Sequence, residues 1–220
     1  MTTVADVWLT SSVDPWRNLG FAVSAVSQPG GSLVPFVVVA GLGIRFVSDP
    51  ADSLSPAGRA SGWTLVGENL ALTSLDGLDT RIVADAPVVD RADNSLQVES
   101  IDHIVITTGS LERTCGAISD KLGLPLKRIR DAGRGVRQGF HRAGAIILEV
   151  VERPDLAPET PAEIWGFVFV VADLDGAVQW LGPDVIGAPR DAVQSGRRIA
   201  SFKKEVGLGV PIALMSPHVR

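Results

Sequence analysis

Two stretches of the chain repeat one pattern of apolar and polar runs. IDHIVITT (Ile101–Thr108) and IWGFVFVV (Ile164–Val171) are apolar and rich in β-branched or aromatic residues, the pattern of half-buried strands. Each runs into a helix start. Ser110 and Asp173 are residue types whose short side-chain oxygen accepts from the free amides of a first turn. Leu111, Cys115 and Ile118 recur at constant offset as Leu174, Val178 and Leu181, which gives each copy one apolar helical stripe. The pairs Leu122-Gly123 and Leu181-Gly182 end the helices, because glycine readily takes the left-handed conformation found past a helix end. A Gly/Arg-rich stretch then aligns Phe140-His141-Arg142 with Phe202-Lys203-Lys204, and the closing strands are AIILEVV (Ala145–Val151) and VPIALMS (Val210–Ser216). Each copy predicts a strand, a helix and three strands, over 100–152 and 163–217.

The copies differ in chemistry. The first carries His103 on its opening strand and Glu149 on its closing strand, where the second has Gly166 and Leu214. Period-two alternation puts His103 on one face with Val105 and Thr107, and Glu149 on one face with Ala145, Ile147 and Val151. A glutamate inside an apolar strand is costly unless it is paired or ligated. Imidazole nitrogen and carboxylate oxygen suit Zn, Fe, Mn or Ni without choosing among them. A buried His–Glu pair left from an ancestral metal site explains the same residues equally well.

The first half of the chain reads less clearly. Val4–Val26 has an opening strand, a shortened helix and a Leu19-Gly20 ending. Ser32–Pro50 reads as two strands joined at Gly41-Leu42-Gly43, Gly62–Gly77 as a hairpin turning near Gly67-Glu68-Asn69, and Leu78–Ala86 as a further strand. Val88–Ser100 is a polar linker, and Glu152–Glu163, with Pro154, Pro158 and Pro161, is a stiff one.

The repeat, the Asp102-His103 dipeptide on its first strand and Glu149 on its last resemble the vicinal oxygen chelate superfamily. That group includes glyoxalase-type lyases, extradiol dioxygenases and bleomycin-resistance-type binding proteins. The resemblance covers residues 100–217 and implies an α+β fold, in which paired βαβββ modules form curved mixed sheets around a cavity. It divides the chain into a glyoxalase-like domain at 99–220 and a degenerate, β-rich N-terminal domain of the same type at 1–98. It implies a divalent metal on His103 and Glu149, acting as a Lewis acid on vicinal oxygens of a substrate. Without metal, Glu149 is the expected catalytic base. Two functions follow as expectations: a small-molecule lyase, isomerase or dioxygenase, or a non-catalytic small-molecule binding or sequestering protein. A structural role would fit a cavity filled by side chains.

Several groups are candidates to complete the site. The chain has 3 histidines, and besides His103 they are His141, placed near a rim, and the tail residue His218. Glu68 and Asn69 are a turn pair that could also reach in, and a second chain in a homodimer could donate its own His–Glu pair. Lys127, Arg128, Arg130, Arg134, Arg137 and Arg142 crowd one module, and Arg197, Arg198, Lys203 and Lys204 the other. Such residues protect a strand edge or hold an anionic ligand. Arg137, Arg198 and His141 are the candidate substrate-binding residues. Alternation opposite Gly166 makes Trp165 a core residue, and Phe140, Phe167 and Phe202 are read as core as well.

Composition narrows the rest. A hydrophobic content of 45% supports a core without cross-links, and the single Cys115 excludes an intrachain disulfide. Its place on an apolar helical stripe reads as a buried, inert thiol. A net charge of -5 argues against nucleic acid or a membrane surface as the partner. Gly133-Arg134-Gly135 is no dinucleotide fingerprint, so no nucleotide cofactor is expected. The N-terminus has no signal-peptide pattern, and a cytoplasmic location is expected.

Overall fold

The computed structural model describes residues 2–27, 31–47, 58–68, 71–86 and 94–218. The chain opens with β1 (Thr3–Leu9), α1 (Asp14–Asn18), β2 (Val23–Ser27), β3 (Leu33–Val39) and β4 (Leu42–Phe46). This is one βαβββ module with a five-residue helix. Next come β5 (Ala60–Val66), β6 (Ser74–Leu75) and β7 (Leu78–Val83). The clearest module is β8 (Val98–Thr108), α2 (Leu111–Leu122), β9 (Arg128–Gly133), β10 (Val136–Ala143) and β11 (Ile146–Glu152). The last is β12 (Glu163–Val171), α3 (Leu174–Leu181), β13 (Arg190–Asp191), β14 (Arg198–Ser201) and β15 (Ile212–Met215).

The strands form two mixed sheets. One has the order β2-β3-β4-β1-β5-β7-β6 and the other β13-β14-β15-β12-β8-β11-β10-β9. The fold is therefore α+β with two βαβββ modules in the second sheet, as expected from the repeat. The Gly62–Gly77 stretch is not a simple hairpin. β7 runs parallel to β5, with Trp63 level with Thr80, and the two-residue β6 pairs with the far side of β7. The Gly41 turn falls one residue early, so that Leu42 and Gly43 belong to β4. Asn69, residues 48–50 of the Ser32–Pro50 strand pair and residues 88–93 of the first linker lie outside the described residues.

By contacts the chain forms two compact units, each drawing strands from both sheets. Unit one comprises residues 1–8, 60–88 and 103–166. Here α2 packs on β10 and β11 through Leu111, Cys115, Ile118 and Leu122, all buried. Both helix ends are closed as the sequence predicts. Ser110 accepts from the Arg113 amide, and Gly123 has φ 65, the left-handed cap. Asp76 ties the helix start to the β6–β7 turn: its carboxylate accepts from Arg113 Nε at 2.5 Å and from the Thr114 hydroxyl. In the N-terminal strands of this unit, Trp8 lies over β5. A Cβ at Gly62 would come within 2.6 Å of its ring. The indole Nε1 donates to Asp6 at 2.8 Å, and Thr64 donates to the same carboxylate at 3.0 Å.

Unit two comprises residues 9–59, 89–102 and 167–220. Its core centres on Trp16 of α1, whose ring packs near Phe21, Phe46 and Phe169. The Trp16 indole donates to the Leu208 carbonyl. Arg197 is buried, donating to Asp102 and to the Ser216 carbonyl.

Candidate functional site

The pair singled out by the sequence does come together. β11 lies parallel beside β8, with Ile147 level with His103 and Glu149 level with Val105. His103 Nε2 stands 3.2 Å from Glu149 Oε2, and their side chains keep 12% and 14% exposure. The contact lies within unit one.

Register adds neighbours to this face. β10 pairs with β11 so that Phe140 faces Glu149 and Gln138 faces Val151, and β9 pairs with β10 so that Arg130 faces Gln138. Directly opposed residues of neighbouring strands share a face. Gln138 Nε2 donates to Glu149 Oε1 at 2.5 Å, and its Oε1 accepts from Arg130 Nε at 2.8 Å. A polar row thus crosses four adjacent strands: Arg130, Gln138, Glu149, His103. Val105, Ile147, Val151 and Phe140 flank it, all half-buried. Phe140, read as core, belongs to this face.

Two candidate ligand residues lie on the other side of β10. Arg137 and His141 alternate with Gln138 and Phe140 and point toward α2, away from Glu149. Arg137 is held by Glu112 at 2.7 Å and by Glu152 at 2.7 Å. Its guanidinium hydrogen bonds hold both carboxyls below their ordinary range. Glu152 also accepts from the Leu111 amide at 2.7 Å and so caps α2. His141 is not at a rim: it is 1% exposed, and its Nδ1 donates to the Leu124 carbonyl at 2.8 Å. Burial pushes its pKa below the ordinary histidine value. Arg198, the third candidate, makes the equivalent clamp in unit two, donating to Asp175 of α3 at 2.7 Å.

The remaining expectations divide. Cys115 is buried, and burial pushes its thiol up to about 12, as expected of an inert group. Trp165 is 44% exposed rather than core, while Gly166 is buried. Glu68 is exposed, and so is His218, whose Nε2 lies 3.3 Å from Arg197. Leu214 is fully buried but does not take Glu149's place: it lies level with Phe169, on the face opposite Gly166, and Ala213, level with Val168, stands where Glu149 does. An open groove of 270 Å³ lies between α2 and the 126–129 segment, floored by Cys115 and Gly116. It is on the helix side of the sheet, opposite the Glu149 face.

His103 and Glu149 have the right donor chemistry for a divalent ion. A catalytic zinc site, for comparison, takes about three protein ligands. Among the described residues, no group of three or more His, Cys, Asp and Glu side chains comes together. The donor set is half of such a site, and the described residues do not fit a complete metal centre.

No protein-family model and no curated protein sequence matches the chain. Solved structures do. A substituted variant of 4-hydroxymandelate synthase from Streptomyces coelicolor aligns over 99% of this chain and 93% of its own, with TM-score 0.72 and 11% identity. This likeness shows a shared fold. A fusion of a xylose isomerase-like TIM barrel with a 4-hydroxyphenylpyruvate dioxygenase shares this fold. It aligns over 97% of this chain at TM-score 0.64 and 11% identity. The chain spans about half the length of that fusion, 49%. Methylmalonyl-CoA epimerase from Mycobacterium tuberculosis aligns over 58% of this chain and 94% of its own, at 19% identity and TM-score 0.47. Among the described residues, no helix is long and apolar enough to cross a membrane.

Proposed function

We propose that the chain is a small-molecule enzyme of the glyoxalase/dioxygenase type, acting at the His103–Glu149 face. The observation that carries this reading is the 3.2 Å approach of His103 Nε2 to Glu149 Oε2 on a half-buried face. Glu149 is the proton-transfer group. Gln138 holds one carboxylate oxygen, which fixes the orientation of the other toward His103 and the open face. His103 stabilises the carboxylate when it is charged and shares the proton when it is not. Phe140, Val105 and Ile147 give an apolar bed that excludes water from one side of a bound substrate. A divalent ion (Zn, Fe, Mn or Ni) would find two donors here.

The second reading is a binding or sequestering protein without turnover. It is favoured by the second module, where the register puts Gly166 and Ala213 in the places of His103 and Glu149. One experiment separates the two. Untagged protein is assayed for metal content and for hydrogen–deuterium exchange into a panel of small 2-oxo and 2-hydroxy acids, beside His103→Ala and Glu149→Gln. Exchange catalysed by wild type and lost in Glu149→Gln supports the enzyme. Tight binding without exchange leaves the binding protein. Exchange unchanged in both variants overturns the site.

A further inference from the structure

We infer that Arg130 is the recognition group for a ligand's anionic end, so that the ligand is a small oxyanion, a carboxylate or a phosphate, on an apolar body. This deepens the proposed function and rests on its placement of the site.

In unit one, Arg113 is paired with Asp76, Arg137 with Glu112 and Glu152, and Arg153 with Asp155. Arg130 has no carboxylate partner among the described residues. Its Nε donates to a neutral amide oxygen, that of Gln138, and its two terminal nitrogens donate to no described residue. It is also the one half-buried residue of β9. Arg128 on the same strand is exposed and serves the ordinary edge-protecting role.

Gln138 is the informative spacer. Glu149 lies one amide away from Arg130, and a direct ion pair would neutralise both charges. The amide accepts from the cation and donates to the anion, so it positions each without cancelling either. The carboxylate stays available for proton transfer, and the guanidinium keeps two parallel donors for an oxyanion. The apolar residues Phe140 and Val151 border the row, which suits a ligand whose uncharged body lies across β10 and β11 with its anionic end toward β9.

The test is an NMR titration of the full chain with three probes that share a ring: benzoate, phenyl phosphate and the neutral benzamide. Wild type is compared with Arg130→Gln, Arg130→Lys and, as control, Arg128→Gln. The expected result is at least ten-fold tighter binding of an anionic probe than of benzamide, with movement of the Gln138 side-chain amide signals. Arg130→Gln abolishes the preference, Arg130→Lys keeps part of it and Arg128→Gln keeps all of it. Whether benzoate or phenyl phosphate binds better names the anion. Equal binding of all three probes beside His103 overturns the role of Arg130 and leaves the site standing. An anion preference that survives Arg130→Gln overturns it too. No movement of signals around His103 with any probe overturns the site itself, and the inference with it.

Discussion

Gly139 sits in the middle of β10, where α2 comes down onto the strand. A Cβ there would lie 2.6 Å from Cys115 Sγ, 3.2 Å from Leu111 Cδ1 and 3.3 Å from Leu126 Cδ1. Non-bonded carbons prefer roughly 3.5–4.0 Å, so the sulfur is the main obstacle. Neither side gives easily, because β10 is paired on both edges and α2 is capped at both ends. Gly139→Ala is therefore an overpacking change and should destabilise the fold by about 1–3 kcal/mol. Cys115→Ala removes the obstructing atom and, taken alone, should cost about 1 kcal/mol through lost packing. In the double variant the new methyl enters the space the sulfur leaves. Its stability should exceed the sum of the single effects by about 1–2 kcal/mol. For a chain of this size each kcal/mol is worth about 2–4 °C in Tm. Urea unfolding of the four proteins, followed by tryptophan fluorescence, measures the cycle. Additivity to within about 0.5 kcal/mol, or a Gly139→Ala protein more stable than wild type, would refute the reasoning.

Three further outcomes follow from the same geometry. His141 is buried with its pKa pushed below the ordinary histidine value, so the unfolded chain takes up its proton first. Stability should be full above pH ~6.5 and fall as pH drops below it; His141→Gln should flatten that part of a Tm-against-pH curve, and an unchanged curve would count against it. The Cys115 thiol, pushed up to about 12 by burial, should stay unmodified by a disulfide reagent at pH 8 until denaturant is added, and rapid native-state reaction would contradict this. Asp76→Ala removes the acceptor for Arg113 and Thr114 and should cost about 2 kcal/mol after discounting the partly exposed arginine, whereas Asp155→Ala, at an exposed pair, should leave the unfolding midpoint where it was.

What the sequence made legible was whatever repeats or caps. Ser110, Gly123 and Asp173 mark helix ends by local chemistry, and the structure uses Ser110 and Asp173 as side-chain caps. The His103–Glu149 approach followed from two strands of known alternation in a resembled fold. Gln138 was missed because its role depends on register across a turn. Had the two-residue turn at Gly144-Ala145 been fixed, pairing of Ala143 with Ile146 would have set Phe140 against Glu149 and Gln138 beside it. The same count would have put Arg137 and His141 on the far face. Trp165 was misread because alternation tells which face a residue takes, not whether anything covers that face. In the N-terminal half, the parallel pairing of β5 and β7 was hidden, since a chain reversal and a crossover look alike when the intervening residues carry no helix.

The two arginine clamps have a consequence for how such chains are traced to their origin. Arg137 to Glu112 and Arg198 to Asp175 are the same strand-to-helix strut in two copies of one module. One copy retains the histidine and glutamate, the other does not. The strut holds helix to strand in both copies, while the histidine–glutamate pair is present in one alone. A search for worn copies of this module keyed to the reactive pair would pass over the second copy. One keyed to an acid in the first helical turn and an arginine on the strand beneath it would find both.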